Sequence, residues 1–339
     1  MASNDVETKS LSKQKRMDNL VDQIKQGKYT QIVVMVGAGI STSCGIPDFR
    51  SANTGLYSQI AIKYPELTDP TDIFSLKFFQ KDPKPFFRLV KELYPEPGRF
   101  KPSKTHEFLK QLQDKNILQR VYTQNIDGLE FEAGLRDDLV IQAHGGFRTC
   151  RCIKCGATGD SDLVKKQVMD EVIPYCTNGC KKGVIKPDIT FFGENLPQRF
   201  FNKYKTDLTV CDLLIVIGTS LKVYPFANMI NDVGKIPRIL INRDRVGARK
   251  SGAYLAELAQ SGQYDPYILY SMSKQGMDFD NIDSDDFFLD GECDAVIERL
   301  STRLGLDNNK PQKEEKDTEE EEEVSVEEIS KALSLSEIK

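Results

Sequence analysis

The 339-residue chain contains only two histidines and no apolar run approaching the length of a membrane span, so a membrane-spanning role is not expected. Its first twenty residues, MASNDVETKSLSKQKRMDNL, lack the apolar centre of a secretory signal. The eight cysteines are therefore expected in a reducing compartment, where metal binding or free thiols prevail over disulfides. A basic excess is also missing. Net charge is −5, and residues 311–339 alone carry eleven acidic and four basic side chains, a net −7 that leaves the remainder at +2. A near-neutral body with an acidic tail argues against a dedicated nucleic-acid-binding protein, which needs a strongly positive face.

One further shortage is local. Residues 33–50 read VVMVGAGISTSCGIPDFR. An apolar run, Ile32–Val36, feeds Gly37-Ala38-Gly39, as in a turn where a strand, glycines and a helix start bring N–H groups up to a pyrophosphate. The full dinucleotide fingerprint wants a third glycine where Thr42 stands. It also wants an acidic residue about 20 positions on, closing a second strand, and no strand-like run surrounds Gln59. These two gaps disfavour a dehydrogenase. The segment runs instead into Gly45-Ile46-Pro47-Asp48-Phe49-Arg50.

Along the chain, residues 1–10 read as irregular, and Met17, Leu20, Val21 and Ile24 recur at helical spacing. Helices are predicted over 71–80, 84–93 and 103–115, broken by Pro83 and the Pro95/Pro97/Gly98 cluster. Apolar strands are predicted at 31–36, in LQRVYTQNID, LVIQAHGG, CDLLIVIGTS and IPRILINRD. Strands apolar throughout that alternate with helices give an α/β class, a doubly wound parallel, Rossmann-like sheet. From 145 to 190 the alternation stops and cysteines cluster. We therefore expect an N-terminal extension and helix over 1–28, a sheet domain over 29–144 and 187–305, and a smaller inserted zinc-binding module over 145–186. Residues 261–286 read as a polar loop, and DAVIERLSTRLG as a closing helix. The tail, 306–339, holds Glu319–Glu323 and is expected to be disordered. Val326, Ile329, Leu333 and Ile338 give it the alternative of a short helix, formed when it docks on the protein's own or a neighbour's substrate groove.

Cys152-x2-Cys155, then twenty residues, then Cys176-x3-Cys180, suits a tetrahedral zinc held by four thiolates. A set of four sulfurs leaves no open coordination position, so the zinc is expected to be structural. Cys150 lies two residues from the first ligand and could compete; Cys44, Cys211 and Cys293 read as buried thiols. Of the histidines, His106 falls within a predicted helix and reads as structural or solvent-facing. His144 ends an apolar strand, where doubly wound sheets bind ligands, and is the natural general base.

Five strand C-termini carry polar sets: Gly37-Ala38-Gly39-Ile40-Ser41, Thr123-Gln124-Asn125-Ile126-Asp127, His144, Gly218-Thr219-Ser220 and Asn242-Arg243-Asp244. A parallel sheet puts all five on one edge. Together they suit a ligand with phosphates and two ribose diols, with Asp244 supplying the ribose contact missing near position 60.

These motifs, with the cysteine pairs, KPDITFFGE, GTSLKVYP and LINRD, resemble the sirtuin family of NAD-dependent protein lysine deacylases, over residues 25–305. The likeness is to its branch of nuclear and cytoplasmic histone and tubulin deacetylases. The resemblance implies NAD consumed as a co-substrate, one structural zinc, acetylated lysine peptides such as histone tails as partners, and a cytoplasmic or nuclear location. It implies catalytic roles for His144, Asn125 and Asp127. It places the cofactor against Gly37 to Ser41, Gly45 to Arg50, Tyr57, Gln124 to Asp127, His144, Gly218 to Ser220, Asn242 to Asp244 and Cys293. The peptide would lie between Gly193-Glu194 and Lys222-Val223-Tyr224, with Ile189 and Phe192 beside the acyl-lysine stem. Either Phe191 or Phe192 should be core and the other channel. Departures are the three-residue spacer in Cys176-x3-Cys180, about one extra residue before Lys186-Pro187, and a longer polar segment before Phe287. ADP-ribosyl transfer and a non-catalytic ADP-ribose-binding scaffold are the competing readings. Residues 51–80 hold no arginine, and Lys63 and Lys77 are their only basic residues, so an uncharged acyl group is expected.

Overall fold

The computed structural model describes residues 2–96, 98–261 and 263–306, with side chains from Ser12 onward; the acidic tail lies outside the described residues. Eight strands occur among them: β1 (Ile32–Val36), β2 (Leu118–Thr123), β3 (Val140–Gln142), β4 (Gly145–Cys152), β5 (Ile185–Ile189), β6 (Leu213–Ile217), β7 (Arg238–Asn242) and β8 (Asp286–Asp290). Six form one parallel sheet in the order β3-β2-β1-β6-β7-β8. The order reverses between β1 and β6. That switch point is where doubly wound sheets open a crevice at the strand C-termini.

The central strands are apolar throughout because both faces are covered: every residue of β1 and β6 is buried. One face carries Val34, Val36, Ile215, Ile217, Ile239 and Ile241. It packs on Met17, Leu20, Val21 and Ile24 of the helix Ala2–Lys25, on Phe108 and Leu112, and on Val296, Ile297 and Leu300 of the helix Cys293–Leu304. The other face carries Val33, Met35, Tyr122, Val216 and Leu240 against Phe200, Leu208 and Phe226. One residue of offset along each strand thus chooses the layer.

Three expectations change. The first helix starts at Ala2, not after an irregular stretch of ten residues. The segment read as loop over 261–286 contains the helix Pro266–Lys274, which follows the helix Gly252–Gln260. Neither buries a single residue, so no apolar stripe announces them; Ser251 and Asp265 cap them, accepting from Tyr254 N–H and Tyr267 N–H. The sheet also gains β8, a five-residue run with an aspartate at each end, tied to β7 by Arg238, whose guanidinium donates to both Asp286 oxygens at 2.6 Å.

A third apolar cluster lies off the sheet. Its centre is aromatic, with Phe74, Phe79, Phe86, Phe87 and Phe191 meeting edge to face. Residues 56–94, assigned to the sheet domain from sequence, contribute the helices Leu56–Lys63, Leu76–Lys81 and Lys84–Leu93 to this cluster. The cysteine-rich segment supplies the antiparallel pair β4–β5 and the helix Ser161–Met169.

The Sγ atoms of Cys152, Cys155, Cys176 and Cys180 all lie within 4.8 Å of one another. Cys152–Cys180 and Cys155–Cys176 are 3.7 and 3.8 Å apart. A tetrahedron with Zn–S of about 2.3 Å has S···S edges of about 3.8 Å, whereas a disulfide needs about 2.05 Å. The set fits a structural zinc. The Lys154 and Gly183 amides point at Cys152 and Cys180 Sγ, at 3.4 and 3.3 Å, as donors to thiolates do. Cys150 stands outside the cluster, beside Ser161 Oγ at 3.7 Å. We expect one zinc per chain by metal analysis. Chelation or Cys152→Ser should cause loss of tertiary structure by near-UV circular dichroism. Zinc-free protein with an unchanged spectrum and melting temperature contradicts this assignment.

Candidate active site

The crevice is shaped first by two loops that touch. A Cβ at Gly39 would sit 2.7 Å from Gly218 Cα, and Gly218 itself has φ +62°. The Gly39 N–H donates to Gly218 O at 2.8 Å. The glycines after β1 and β6 are thus required by each other, independently of any ligand. After Gly37 the chain makes two three-residue 3₁₀ turns, Ala38–Ile40 and Thr42–Cys44, and Gly45 at φ +88° ends the second. No α-helix follows β1 directly, in contrast to a dehydrogenase turn.

Residues 48–57 then fold back on themselves. The Asp48 carboxylate accepts from the amides of Arg50 and Ser51 at 2.8 and 2.7 Å, and also from the Ser51 hydroxyl. Burial acts to raise the Asp48 pKa, but the Ser51 and Arg50 donors overcome it and hold the carboxyl below its ordinary range. Leu56 and Tyr57 N–H return to Asp48 and Phe49 O, and Phe49 and Tyr57 pack on Phe74.

The end of β2 supplies a buried polar network. Ser41 Oγ donates to Asp127 Oδ2 at 2.8 Å and accepts from Asn125 Nδ2 at 3.2 Å; Nδ2 also donates to Gly37 O. The Leu129 amide holds Asp127 Oδ1 at 3.0 Å. Behind it, Glu130 is wholly buried and neither carboxyl oxygen has a protein partner. Burial, then the Asp127 charge, pushes its pKa up to about 8. His106 is buried as well. It accepts from Ser103 N–H in a capping box, and burial lowers its pKa. The structural alternative for His106 holds; the solvent-facing one does not.

His144 is set by its neighbours on both sides. A Cβ at Gly145, where φ is +67°, would lie 1.7 Å from Asp188 O, so only glycine lets the chain turn from β3 into β4 beside β5. His144 Nδ1 lies 3.0 Å from Gln124 O. A carbonyl can only accept, so Nδ1 carries the proton and Nε2 is the basic nitrogen. Nε2 has no protein partner, and the ring lines a cavity that is larger than the one beside Asp127. Burial holds the imidazole pKa below its ordinary range, against the Gln124 hydrogen bond, which acts to raise it. The neutral, base-competent form therefore persists to lower pH than in a free histidine.

The larger cavity, of about 530 Å³, brings together most of the residues singled out from sequence. Gly39, Asp48, Arg50, Tyr57, Gln124, His144, Gly218 to Ser220, Asn242 to Asp244 and Cys293 line it, as do Ile189, Phe192 to Glu194 and Lys222 to Tyr224. A second cavity, of about 370 Å³, takes Ser41, Gly45 to Pro47 and Asp127. Ala38, Phe49, Asn125 and Ile126 line both. Gly37 and Ile40 reach neither, and the Ile40 side chain is wholly buried in the sheet core. Phe191 is 2 % exposed and packs in the aromatic core, whereas Phe192 is 47 % exposed; both line the larger cavity. The Glu194 carboxylate turns inward, 3.1 Å from Lys186 Nζ and 2.8 Å from Phe191 N. Thr42, Ser51, Phe74, Thr190, Leu196 and Glu292 also line the larger cavity and were missed. Thr42 and Thr190 lie inside the quoted motifs and Glu292 is the neighbour of Cys293, so these had a signal in the sequence.

The fold and crevice define a doubly wound α/β protein with a nucleotide-sized cleft at its switch point and an uncharged imidazole in its wall. A profile of the Sir2 family matches residues 37–225. The "NAD-dependent protein deacetylase sirtuin-2" of Danio rerio is 47 % identical over 252 residues, 74 % of this chain and 65 % of that protein. The "NAD-dependent deacetylase sir2A" of Dictyostelium discoideum is 46 % identical over 244 residues, 71 % of this chain and 47 % of its own length. The "NAD-dependent protein deacetylase hst2" of Schizosaccharomyces pombe is 46 % identical over 243 residues, 70 % of each chain. The match thus spans less than two thirds of the first two relatives. The chain belongs to the Sir2 family.

Ser41→Ala tests the buried network: it strips Asp127 of a donor and Asn125 of an acceptor. The expected loss is about 1–3 kcal/mol of folding stability in denaturant titration. A variant as stable as wild type contradicts the network.

Proposed function

We propose that the protein is an NAD-dependent protein lysine deacetylase. Its partners are acetylated proteins, histone tails among them, in the cytoplasm or nucleus. The observation that carries this reading is the His144 imidazole, whose Nε2 has no protein partner, in one cavity with Gln124, Asn125, Gly218 to Ser220, Asn242 to Asp244 and the segments 192–194 and 222–224. Asn125 and Asp127 fix the nicotinamide ribose, and the 48–57 loop excludes water from its C1′ carbon. The acetyl oxygen attacks C1′ while the C1′–nicotinamide bond breaks and nicotinamide leaves with the electron pair. His144 Nε2 takes the proton of a ribose hydroxyl, freeing the 2′ oxygen to attack the acetyl-derived carbon. The bond from that carbon to the lysine nitrogen then breaks, the amine leaves with a proton, and one water adds to the carbon, giving lysine and O-acetyl-ADP-ribose. The Cys152, Cys155, Cys176 and Cys180 zinc takes no part in these steps. Among the residues lining the larger cavity the only cations are Arg50, Lys222 and Arg243, and Arg243 is engaged by Glu292. The preference we propose for uncharged acyl groups rests on residues 51–80, which hold no arginine.

Mass spectrometry after incubation with NAD and an acetylated peptide should show one nicotinamide and one O-acetyl-ADP-ribose per peptide deacetylated. His144→Ala should abolish turnover without altering circular dichroism. ADP-ribose attached to the peptide, or near wild-type turnover by the alanine variant, sinks the reading. A succinylated peptide should turn over more slowly than its acetylated match; the reverse order overturns the acyl assignment.

A further inference from the structure

We propose that Lys186 is a positioning residue for peptide binding. Through a buried ion pair with Glu194 it fixes the loop 190–194 that carries Phe192 into the cleft. This rests on the deacetylase reading only for its kinetic test.

Lys186 belongs to β5, which puts a cation where none is expected: its side chain is 6 % exposed. Nζ donates to Ile189 O at 2.6 Å and to Glu194 Oε2 at 3.1 Å, lies 3.3 Å from Pro187 O, and sits 4.2 Å from the centre of the Phe191 ring. A buried ammonium is tolerated only with partners of this kind. The same Glu194 oxygen accepts the Phe191 N–H at 2.8 Å. One carboxylate thereby closes the turn 191–194, in which the Glu194 N–H also bonds Phe191 O and Gly193 stands at φ +95°. Lys186 holds the near end of the loop through Ile189 O and the far end through Glu194.

The loop has two other attachments, and both lead to the site. The Thr190 N–H donates to the carbonyl of His144 at 2.8 Å. Phe192 exchanges backbone hydrogen bonds with Phe74 and Leu76, at 2.8 and 3.1 Å. The first fixes where the loop starts relative to the imidazole. The second fixes its height above the aromatic core. Neither reaches the turn after Phe192, which is closed by the Glu194 carboxylate and amide on Phe191. On the other side, β5 pairs with β4 in a register that sets Lys186 opposite Arg151 and Ile185 opposite Cys152. The cation is therefore anchored one residue from a strand position facing a zinc ligand. Order runs from the cysteine cluster along β5 to Nζ, then to the turn that presents Phe192. The cofactor-side residues at the ends of β1, β2, β6 and β7 lie outside this chain of contacts, which meets His144 only at its carbonyl, through the Thr190 amide. The expected signature is a defect confined to the peptide.

The test uses Lys186→Met, which keeps the stem and removes the charge, together with Glu194→Gln and the double variant. Zinc content and melting curves confirm folding. Amide exchange is read first, because it does not depend on activity. In both single variants the Phe191 and Glu194 amides should exchange about tenfold faster, and amides of β1 should be unchanged. In kinetics, KM for the acetylated peptide should rise about tenfold with KM for NAD unchanged. The double variant should be no worse than the worse single. Unaltered exchange in the loop overturns the proposal, and so do equal rises in both KM values or strictly additive effects. A wild-type protein that shows loop protection but no turnover defeats the deacetylase reading and leaves the ion pair's role standing.

Discussion

The contact between the Gly37–Gly39 turn and Gly218 is the constraint on which the site depends. Atoms approach there to distances at which a single added methyl carbon would overlap backbone. That approach sets Gly37 O where Asn125 Nδ2 can reach it, and with it the position of Ser41, which spans Asn125 and Asp127. It also brings the β6 loop near the β2 loop, where Thr219 Oγ1 donates to Gln124 Oε1 at 2.6 Å. Gln124 in turn fixes the His144 tautomer through its carbonyl. Three strand ends are thus locked together before any ligand arrives. Preorganisation of this kind is what a reaction limited by placement requires.

The same edge carries costs. Glu130 and the Nε2 atoms of His106 and His144 are buried without protein partners. For His144 the unpaired nitrogen is the one that acts as base in the mechanism we propose. For Glu130 the burial keeps its carboxyl proton to near-neutral pH, which spares the region a second negative charge behind Asp127. The apolar bulk of the molecule compensates, in two sheet-facing cores and a third, aromatic one.

Much of this was legible in the chain. The apolar runs of β1, β2, β3, β6 and β7 announce a parallel sheet because burial on both faces leaves little polar alternation. The polar residues that end them are then gathered on one edge by topology alone. The cysteine spacing gave the metal cluster, since four ligands on two tight turns have few other uses. What escaped detection has physical reasons. The surface helices at 252–260 and 266–274 bury nothing, so no periodic signal marks them. β8 hides its pairing cation, Arg238, in another strand. The packing of 56–94 on the cysteine-rich segment is a contact between distant stretches, which local pattern cannot report. The inward turn of Glu194 was invisible for the same reason: a Gly-Glu at the lip of a groove reads as exposed until Lys186 is placed beneath it.

The central claim is that a neutral, half-buried imidazole just past β3 faces the nucleotide. With only two histidines in the chain, ¹³Cε1-labelled histidine gives a two-line spectrum in which His106→Phe assigns both signals. The account predicts that the His144 signal titrates below the ordinary value of about 6.5 and shifts when NAD is added. It predicts that the His106 signal, shielded in its helix cap, does not respond to NAD. A His144 signal that titrates like a free histidine and ignores NAD contradicts the account.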